Sequence, residues 1–138
     1  MRLRPVLLAP LLLLAACQTD SRQQILATSR SQVDMRAIST RAFDTPDQMR
    51  VLRATLAALQ DLGFVIDRAD DSLGTVSATK LDGYVLRVTV TVRPRGTTQT
   101  AVRISGQYNL EEMADPEPFR HFFSALEQAL FLNAQAID

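Results

Sequence analysis

Cysteine, histidine and net charge are all scarce in this chain of 138 residues. Its single cysteine excludes an internal disulfide framework and any zinc site built from a cluster of cysteines. Its single histidine leaves little material for imidazole-based metal binding or acid–base catalysis. The 15 basic residues balance the 15 acidic ones, so the formal net charge is zero. A neutral chain lacks the general attraction that a strongly basic domain has for nucleic acid, and we expect no nucleic-acid partner.

The sequence also lacks two common enzyme motifs. Its five glycines are scattered, and they form no glycine-rich phosphate-binding loop. No serine stands in the G-x-S-x-G pattern of many hydrolases. What is present is ordinary for a globular protein, with 46% hydrophobic and 22% charged residues in a chain of about one domain's length.

The first residues have the features of an export signal. Arg2 and Arg4 supply positive charge, and residues 5–14 form an uncharged run of about ten. Such a run is too short to cross a hydrocarbon core about 30 Å thick as a helix. It has the length of the apolar region of a secretory signal, so we expect residues 1–16 to be a signal peptide.

The end of that run, Leu14-Ala15-Ala16-Cys17, resembles the lipobox of bacterial lipoproteins. In that family the signal is cut before the cysteine, the thiol carries a lipid, and the new amino terminus is acylated, often with palmitate. The resemblance implies a covalent lipid on Cys17 and firm membrane anchoring, because each buried methylene contributes roughly 0.8 kcal/mol. The alternative is an ordinary signal peptide with a chance cysteine.

The residue after the cysteine bears on which membrane is used. In enterobacterial lipoproteins an aspartate at this position tends to retain the protein at the inner membrane. Gln18 stands there in this chain. By that analogy we expect a lipid anchor in the outer membrane with the protein on the periplasmic side, and the inner membrane is the alternative.

Residues 17–34 are mostly Gln, Ser, Thr and Arg, with few apolar side chains that could pack. This composition predicts a lipidated N-terminus followed by a flexible tether. Residues 35–138 then form the predicted periplasmic domain. The apolar exceptions in the tether are Ile25, Leu26 and Val33.

Two amphipathic helices are predicted in the domain from apolar residues three and four positions apart. The first runs from about Pro46 to Leu62, with Thr45 as its N-cap, Gln48 completing a T-x-x-Q capping box, and Gly63 as its stop. The second begins after the capping residue Asp115. Its apolar stripe consists of Phe119, Phe122, Phe123, Leu126 and Leu130.

Alternating apolar and polar residues between turn sequences predict five strands. They lie at about 36–43, 64–68, 75–80, 84–93 and 98–108, which gives the order β-α-β-β-β-β-α. An antiparallel sheet with one polar face needs cover on the other face only. We therefore predict an α+β fold, a two-layer sandwich in which two amphipathic helices cover one face of an antiparallel sheet of about five strands.

The uncovered face of this sheet is the predicted binding face. Arginine suits bidentate capture of carboxylates or phosphates, although a merely solvated sheet face explains the same pattern. The residues predicted on this face are Arg87, Thr89, Thr91, Arg93 and Arg103, with Arg95 near the adjoining hairpin.

Three further features have a structural and a chemical explanation. His121 would need a nucleophile and an orienting carboxylate to act as a catalytic base, so a surface histidine is the simpler explanation. The acidic turn at 67–71 lacks the spacing of an EF-hand, and turn chemistry explains it. We predict no catalytic residue, no metal site and no cofactor other than the covalent lipid. An apolar cavity, or only core packing, is expected around Phe119, Phe122, Phe123 and Phe131.

Residues 36–134 resemble a group of small, poorly characterised proteobacterial outer-membrane lipoproteins. The phrases that carry the resemblance are residues 39–45 (STRAFDT), 59–67 (LQDLGFVID) and 73–80 (LGTVSATK). It implies a class and a location but no activity. The predicted element order is also similar to the helix-grip domains of the lipoprotein C component of the outer-membrane barrel-assembly machine.

These observations predict a non-enzymatic, lipid-anchored periplasmic module that serves as an accessory or interaction subunit of an envelope assembly or transport system. An envelope protein would bind either the Arg/Thr face or an open sheet edge, the N-terminal strand being the candidate for strand addition. The alternative is a carrier of lipid or another apolar ligand between helices and sheet. A hydrolase built around His121 is a third possibility.

Overall fold

The computed structural model describes residues 13–135. Residues 1–12, which hold most of the predicted signal peptide, and residues 136–138 lie outside the described residues. The side chains of residues 13–21, 27–30 and 132–135 are also outside the described part. The chain divides into two units after Met35.

The first unit consists, in its described part, of most of helix α1 (Leu13–Ser39). The helix includes residues 17–34, for which the composition predicts a flexible tether. No glycine or proline occurs between Pro10 and Pro46, and Ala, Leu, Gln and Arg are good helix formers, so nothing in the sequence interrupts a helix. The helix also takes up residues 36–39, which the alternation assigns to the first strand.

The second unit is the predicted α+β domain. Within the described chain, one six-stranded antiparallel sheet has the order β1-β5-β4-β3-β2, and β6 pairs with β5. This confirms the predicted fold class. The elements are β1 (Thr40–Phe43), α2 (Gln48–Asp61), β2 (Val65–Asp70), β3 (Thr75–Leu81), β4 (Val85–Arg95), β5 (Gln99–Tyr108), β6 (Glu111–Glu112) and α3 (Pro116–Gln135).

Both α2 and α3 cover the same face of the sheet. Alternate side chains of β3, β4 and β5 are buried beneath them, as the period of two requires. The aromatic stripe of α3 is at the centre of this core, with Phe119, Phe122 and Phe123 each 1% exposed. The buried sheet residues are Val76, Ala78, Leu86, Val88, Val90, Val92, Val102 and Ile104.

The start of α2 differs from the prediction. Asp47, rather than Thr45, is the N-cap, and its carboxylate accepts a hydrogen bond from the backbone N–H of Arg50. The side chain of Gln48 does not complete a capping box, because its amide donates to the carbonyl oxygen of Val92 at 2.8 Å. The predicted stop is confirmed, since Gly63 follows the helix with a φ of 87° that favours glycine.

Strand β6 has no counterpart in the predicted order. Its two residues are too short to show any periodicity, and tertiary packing explains them instead. The backbone N–H of Met113 donates to the carbonyl oxygen of Gly106 at 2.8 Å, and the Met113 side chain is buried against the same glycine. A Cβ at Gly106 would lie 3.0 Å from the Met113 Cε, so a larger residue there would crowd this packing.

The two ends of the layer between helices and sheet are built differently. At one end, which we call the tied end, the turn at 71–74 is hydrogen-bonded to β4, and β4 is hydrogen-bonded to the start of α2. Val92 donates its backbone N–H to the carbonyl oxygen of Gly74 at 2.7 Å, and Arg93 donates to the carbonyl oxygen of Leu73 at 2.8 Å. The other end, the open end, lies where α2 ends at Asp61 and α3 begins at Pro116, and it contains a cavity.

Candidate functional site

The face of the sheet opposite the helices presents rows of polar side chains. Antiparallel pairing puts Arg87 between Thr79 and Gln107, and it puts Thr89 between Ser77 and Ser105. A shallow depression of about 480 Å³ lies over these rows. Its polar lining consists of Asp67, Ser77, Arg87, Thr89, Ser105, Gln107 and Glu112.

The structure brings some of the predicted face residues together and separates others. Arg87 and Thr89 line the depression. Thr91 and Arg103 are cross-strand partners beyond its edge. Arg93 also lies on β4, but its guanidinium holds the turn at Leu73, so it has a structural partner. Arg95 pairs with Gln99 beside the hairpin and does not line the depression.

The charges around the depression are mixed. Carboxylates stand at its two sides, Asp67 on β2 and Glu112 on β6, and Asp67 accepts a 2.6 Å hydrogen bond from the Thr79 hydroxyl. Within residues 13–135, no hydrogen bond or ion pair occupies the guanidinium of Arg87 or Arg103. Arg87 with its neighbouring hydroxyls can therefore donate charge-assisted hydrogen bonds to a carboxylate or phosphate.

The acidic turn is explained by local structure. The Asp70 carboxylate accepts hydrogen bonds from the Ser72 hydroxyl at 2.7 Å and from the Leu73 backbone at 3.0 Å. These bonds, led by the one from Ser72, lower the pKa of Asp70 below its usual value of 3.8. In the part of the chain that the structure describes, no cluster of three or more metal-ligating side chains occurs.

His121 lies on the surface of α3. Its side chain is 68% exposed, and its Nε2 is 3.7 Å from a carboxylate oxygen of Glu117 one turn earlier. This is the arrangement of an exposed i,i+4 pair on a helix. His121 also lines the open-end cavity, a position that no local sequence pattern indicates.

The open-end cavity is a small apolar pocket of about 120 Å³ between the sheet and both helices. Of the four phenylalanines expected around a cavity, Phe122 lines it. Phe119 and Phe123 are core residues outside its lining, and Phe131 is 61% exposed on α3. Other side chains that line the cavity include Leu62, Phe64, Lys80, Tyr84, Tyr108 and His121.

The two tyrosines form part of the sheet side of this cavity. Their rings are in edge-to-face contact with centroids 5.1 Å apart. Partial burial, with smaller contributions from Tyr84 and Asp115, raises the pKa of Tyr108 above 10.0. The alternation places both tyrosines on the apolar side, and it also places Lys80 in phase with Val76 and Ala78. That inward lysine is the sequence signal that could have located the cavity.

The structure describes only the backbone of the predicted lipidation site. Cys17 lies within α1, and its side chain lies outside the described part of the structure. No helix within residues 13–135 combines the length and the apolar character that crossing a bilayer requires. No protein-family model matches this chain, and no curated protein matches it.

Proposed function

We propose that this chain is a lipid-anchored, non-enzymatic module on the periplasmic side of the outer membrane that binds a protein of an envelope assembly or transport system. The observation that carries the proposal is the uncovered face of the sheet. Both helices lie on one side, and the other side presents a concave polar surface with Arg87 at its centre. The lipobox-like sequence ending at Cys17 supports the anchor.

The chemistry of the depression suits recognition. Arg87, Thr89 and Ser105 are hydrogen-bond donors on adjacent strands, so a partner carboxylate can be bound at several points at once. Such bonds from a rigid sheet require little rearrangement of the backbone, which limits the entropic cost of binding.

The sheet edges support strand addition less well than the face supports side-chain recognition. At one edge, β1 has only four residues and follows directly from α1, so an added strand would have a short template. At the other edge, β2 has a register shift between Ile66 and Arg68, which disrupts regular pairing.

A carrier function has less support. The open-end cavity of about 120 Å³ is well below the roughly 300–1,000 Å³ of typical ligand pockets. An acyl chain of a membrane lipid would need the core to open. We therefore retain the interaction module as the proposed function.

Site-specific photo-crosslinking in cells tests the proposed face. A photoreactive residue in place of Thr89 should give a discrete crosslinked band of fixed mass, and Arg87→Glu should weaken that band at least severalfold by repelling the partner's acidic group. Gln128, exposed on the helix side, is the matched control position, and Arg95→Glu is the matched charge control. Equal crosslinking from Thr89 and Gln128, or equal loss in both arginine variants, would exclude this face.

The anchor has its own test. Cys17→Ser should abolish incorporation of radiolabelled palmitate and move the protein from the sedimented envelope to the soluble fraction. Retention of Cys17→Ser in the envelope, or an absence of label in the parent chain, would remove the lipid anchor from the proposal.

A further inference from the structure

The open-end cavity brings together the lysine, the histidine and both tyrosines of the protein. Lys80 is the only lysine in the sequence and His121 is the only histidine, while Tyr84 and Tyr108 are its two tyrosines. All four line this one cavity of about 120 Å³. The rest of its lining is mainly aliphatic and aromatic, and no carboxylate belongs to the lining in the described chain.

Exposed apolar side chains occur at and near the cavity. The side chain of Tyr84, which lines it, is 41% exposed, and that of Leu110, in the turn after β5, is 88% exposed. Asn109 exchanges hydrogen bonds with the backbone of Val85, at 2.7 and 3.1 Å, and so fixes this turn beside the start of β4. Large apolar side chains exposed beside a cavity favour a contact surface.

The volume of the cavity selects the size of the group that enters it. A cavity of about 150 Å³ in a protein core holds one benzene molecule. The open-end cavity, at about 120 Å³, therefore matches one leucine-sized or phenylalanine-sized side chain and is too short for an acyl chain. A single large side chain anchored in a pocket is the usual centre of a polypeptide interface.

The positive charge of Lys80 favours a ligand that carries a negative group. Lys80 lies on the helix-covered side of β3, paired with Leu86, and its ammonium is 5.9 Å from the centroid of the Phe64 ring. Within residues 13–135 no carboxylate pairs with this ammonium, and the carboxylate of Glu117, one turn before His121, pairs with Arg120. A negative group on the ligand would complete this site.

We propose that the open-end cavity binds one leucine-sized or phenylalanine-sized side chain of a partner polypeptide, while an adjoining carboxylate of that partner pairs with Lys80. A C-terminal leucine or phenylalanine supplies both groups on one residue. The inference deepens the proposed function by naming the chemistry of the partner. It rests on that function in one respect, namely that the partner is a polypeptide. The site is separate from the depression on the outer face.

The protein reports on this site through its own fluorescence. The sequence has no tryptophan, so emission comes from Tyr84 and Tyr108, both in the cavity lining. The full lipidated chain, in vesicles of phosphatidylethanolamine and phosphatidylglycerol, is titrated with the peptide acetyl-Gly-Gly-Leu bearing a free carboxylate and with its C-terminal amide. The acid should change the tyrosine emission saturably, and the amide should bind roughly threefold or more weakly, as expected for a partly exposed ion pair.

Variants assign the preference to Lys80. Lys80→Gln should make the acid and the amide bind equally, while Lys80→Arg should retain the preference for the acid because it keeps the positive charge. If Lys80 only packed against the residues that follow α2, its substitution would lower the free energy of unfolding. The ratio of the acid and amide affinities would then stay unchanged. Arg95→Gln, beside the hairpin between β4 and β5 and outside both the cavity and the depression, is the matched control and should leave both affinities as in the parent chain.

Each outcome decides between explanations. No saturable response to the acid, an equal response to acid and amide in the parent chain, or an unchanged ratio in Lys80→Gln would overturn the inference. Tighter saturation by decanoate than by the peptide would assign the cavity to lipid instead. If the peptide gives no saturable response but the Thr89 crosslink persists, only the proposed cavity site is excluded. If the crosslink is lost but the peptide still binds, only the proposed outer-face site is excluded.

Discussion

The tied end and the open end of the helix–sheet layer belong to one core but are held together by different forces. At the tied end, the carbonyls of Gly74 and Leu73 accept hydrogen bonds from β4, and the carbonyl of Val92 accepts one from Gln48, so both the turn and α2 are fixed to β4. At the open end, the lining is mainly apolar and a cavity of about 120 Å³ remains.

The difference indicates where stability and binding reside. Hydrogen bonds and close backbone contacts tolerate little change in geometry, so substitutions at the tied end should lower the free energy of unfolding. An incompletely filled apolar end loses packing, but it leaves room for another molecule. Proteins commonly place binding sites where their own packing is least complete.

The largest expected effect is that of Gly74→Ala at the tied end. A Cβ there would lie 2.3 Å from the Val92 carbonyl oxygen, and the φ of 64° is itself unfavourable for alanine. We expect the free energy of unfolding to fall by about 3 kcal/mol or more, measured by chemical denaturation. Gly83→Ala at the open end is the matched control, because its φ is 72° but its Cβ would meet nothing within 4 Å. Its loss should be about 1 kcal/mol, and equal losses in the two variants would contradict the comparison.

A smaller effect is expected for the pH dependence of the tied end. Hydrogen bonds from Ser72 and Leu73 lower the pKa of Asp70 in the folded chain relative to 3.8. The stabilisation by this carboxylate is therefore present above about pH 4 and is lost as the pH falls through the lower, folded-state pKa. Asp70→Asn should remove this part of the acid destabilisation, as followed by denaturation at several pH values. Asp71→Asn is the control, and an identical pH profile for both variants would be evidence against the hydrogen bonds from Ser72 and Leu73.

The smallest effect on stability is expected at the rim of the open end. Leu110 is 88% exposed, so Leu110→Ser should change the free energy of unfolding by no more than about 0.5 kcal/mol. The same variant should weaken binding of acetyl-Gly-Gly-Leu, since it removes apolar surface beside the cavity. A loss of stability above about 1 kcal/mol would show that the rim contributes to folding and would weaken the contrast between the two ends.

Most of the domain could be predicted from local sequence signals. The alternation along residues 84–93 gives the two faces of β4 correctly, and Asp115 with Pro116 marks the start of α3. These signals depend on neighbouring residues in the chain, so no tertiary information is needed. The N-cap of α2 is Asp47 rather than Thr45, and predicting this needed tertiary information, because Gln48 bonds to Val92, which is 44 residues away.

The candidate sites were less predictable than the fold. Strand alternation predicts that Arg87 and Thr89 lie on the same face. It does not predict that Arg93 donates a hydrogen bond to the carbonyl oxygen of Leu73, 20 residues earlier in a turn. For residues 17–34 polarity predicts a flexible tether, whereas helix propensity favours the helix α1 that the structure has there. The inward phase of Lys80 marks the location of the open-end cavity, but its volume depends on how two helix ends meet the sheet, which no local pattern encodes.

Strand β1 has a protective consequence. It hydrogen-bonds along residues 100–103 of β5, and Arg41 fastens it to α3 through Glu127 and the ring of Phe123. A chain shortened to begin after Phe43 would keep both packed helices and the long strands, yet its β5 would carry bare amides and carbonyls along that stretch. An exposed strand edge of this kind promotes edge-to-edge pairing between sheets of separate molecules, so β1 protects the protein against aggregation.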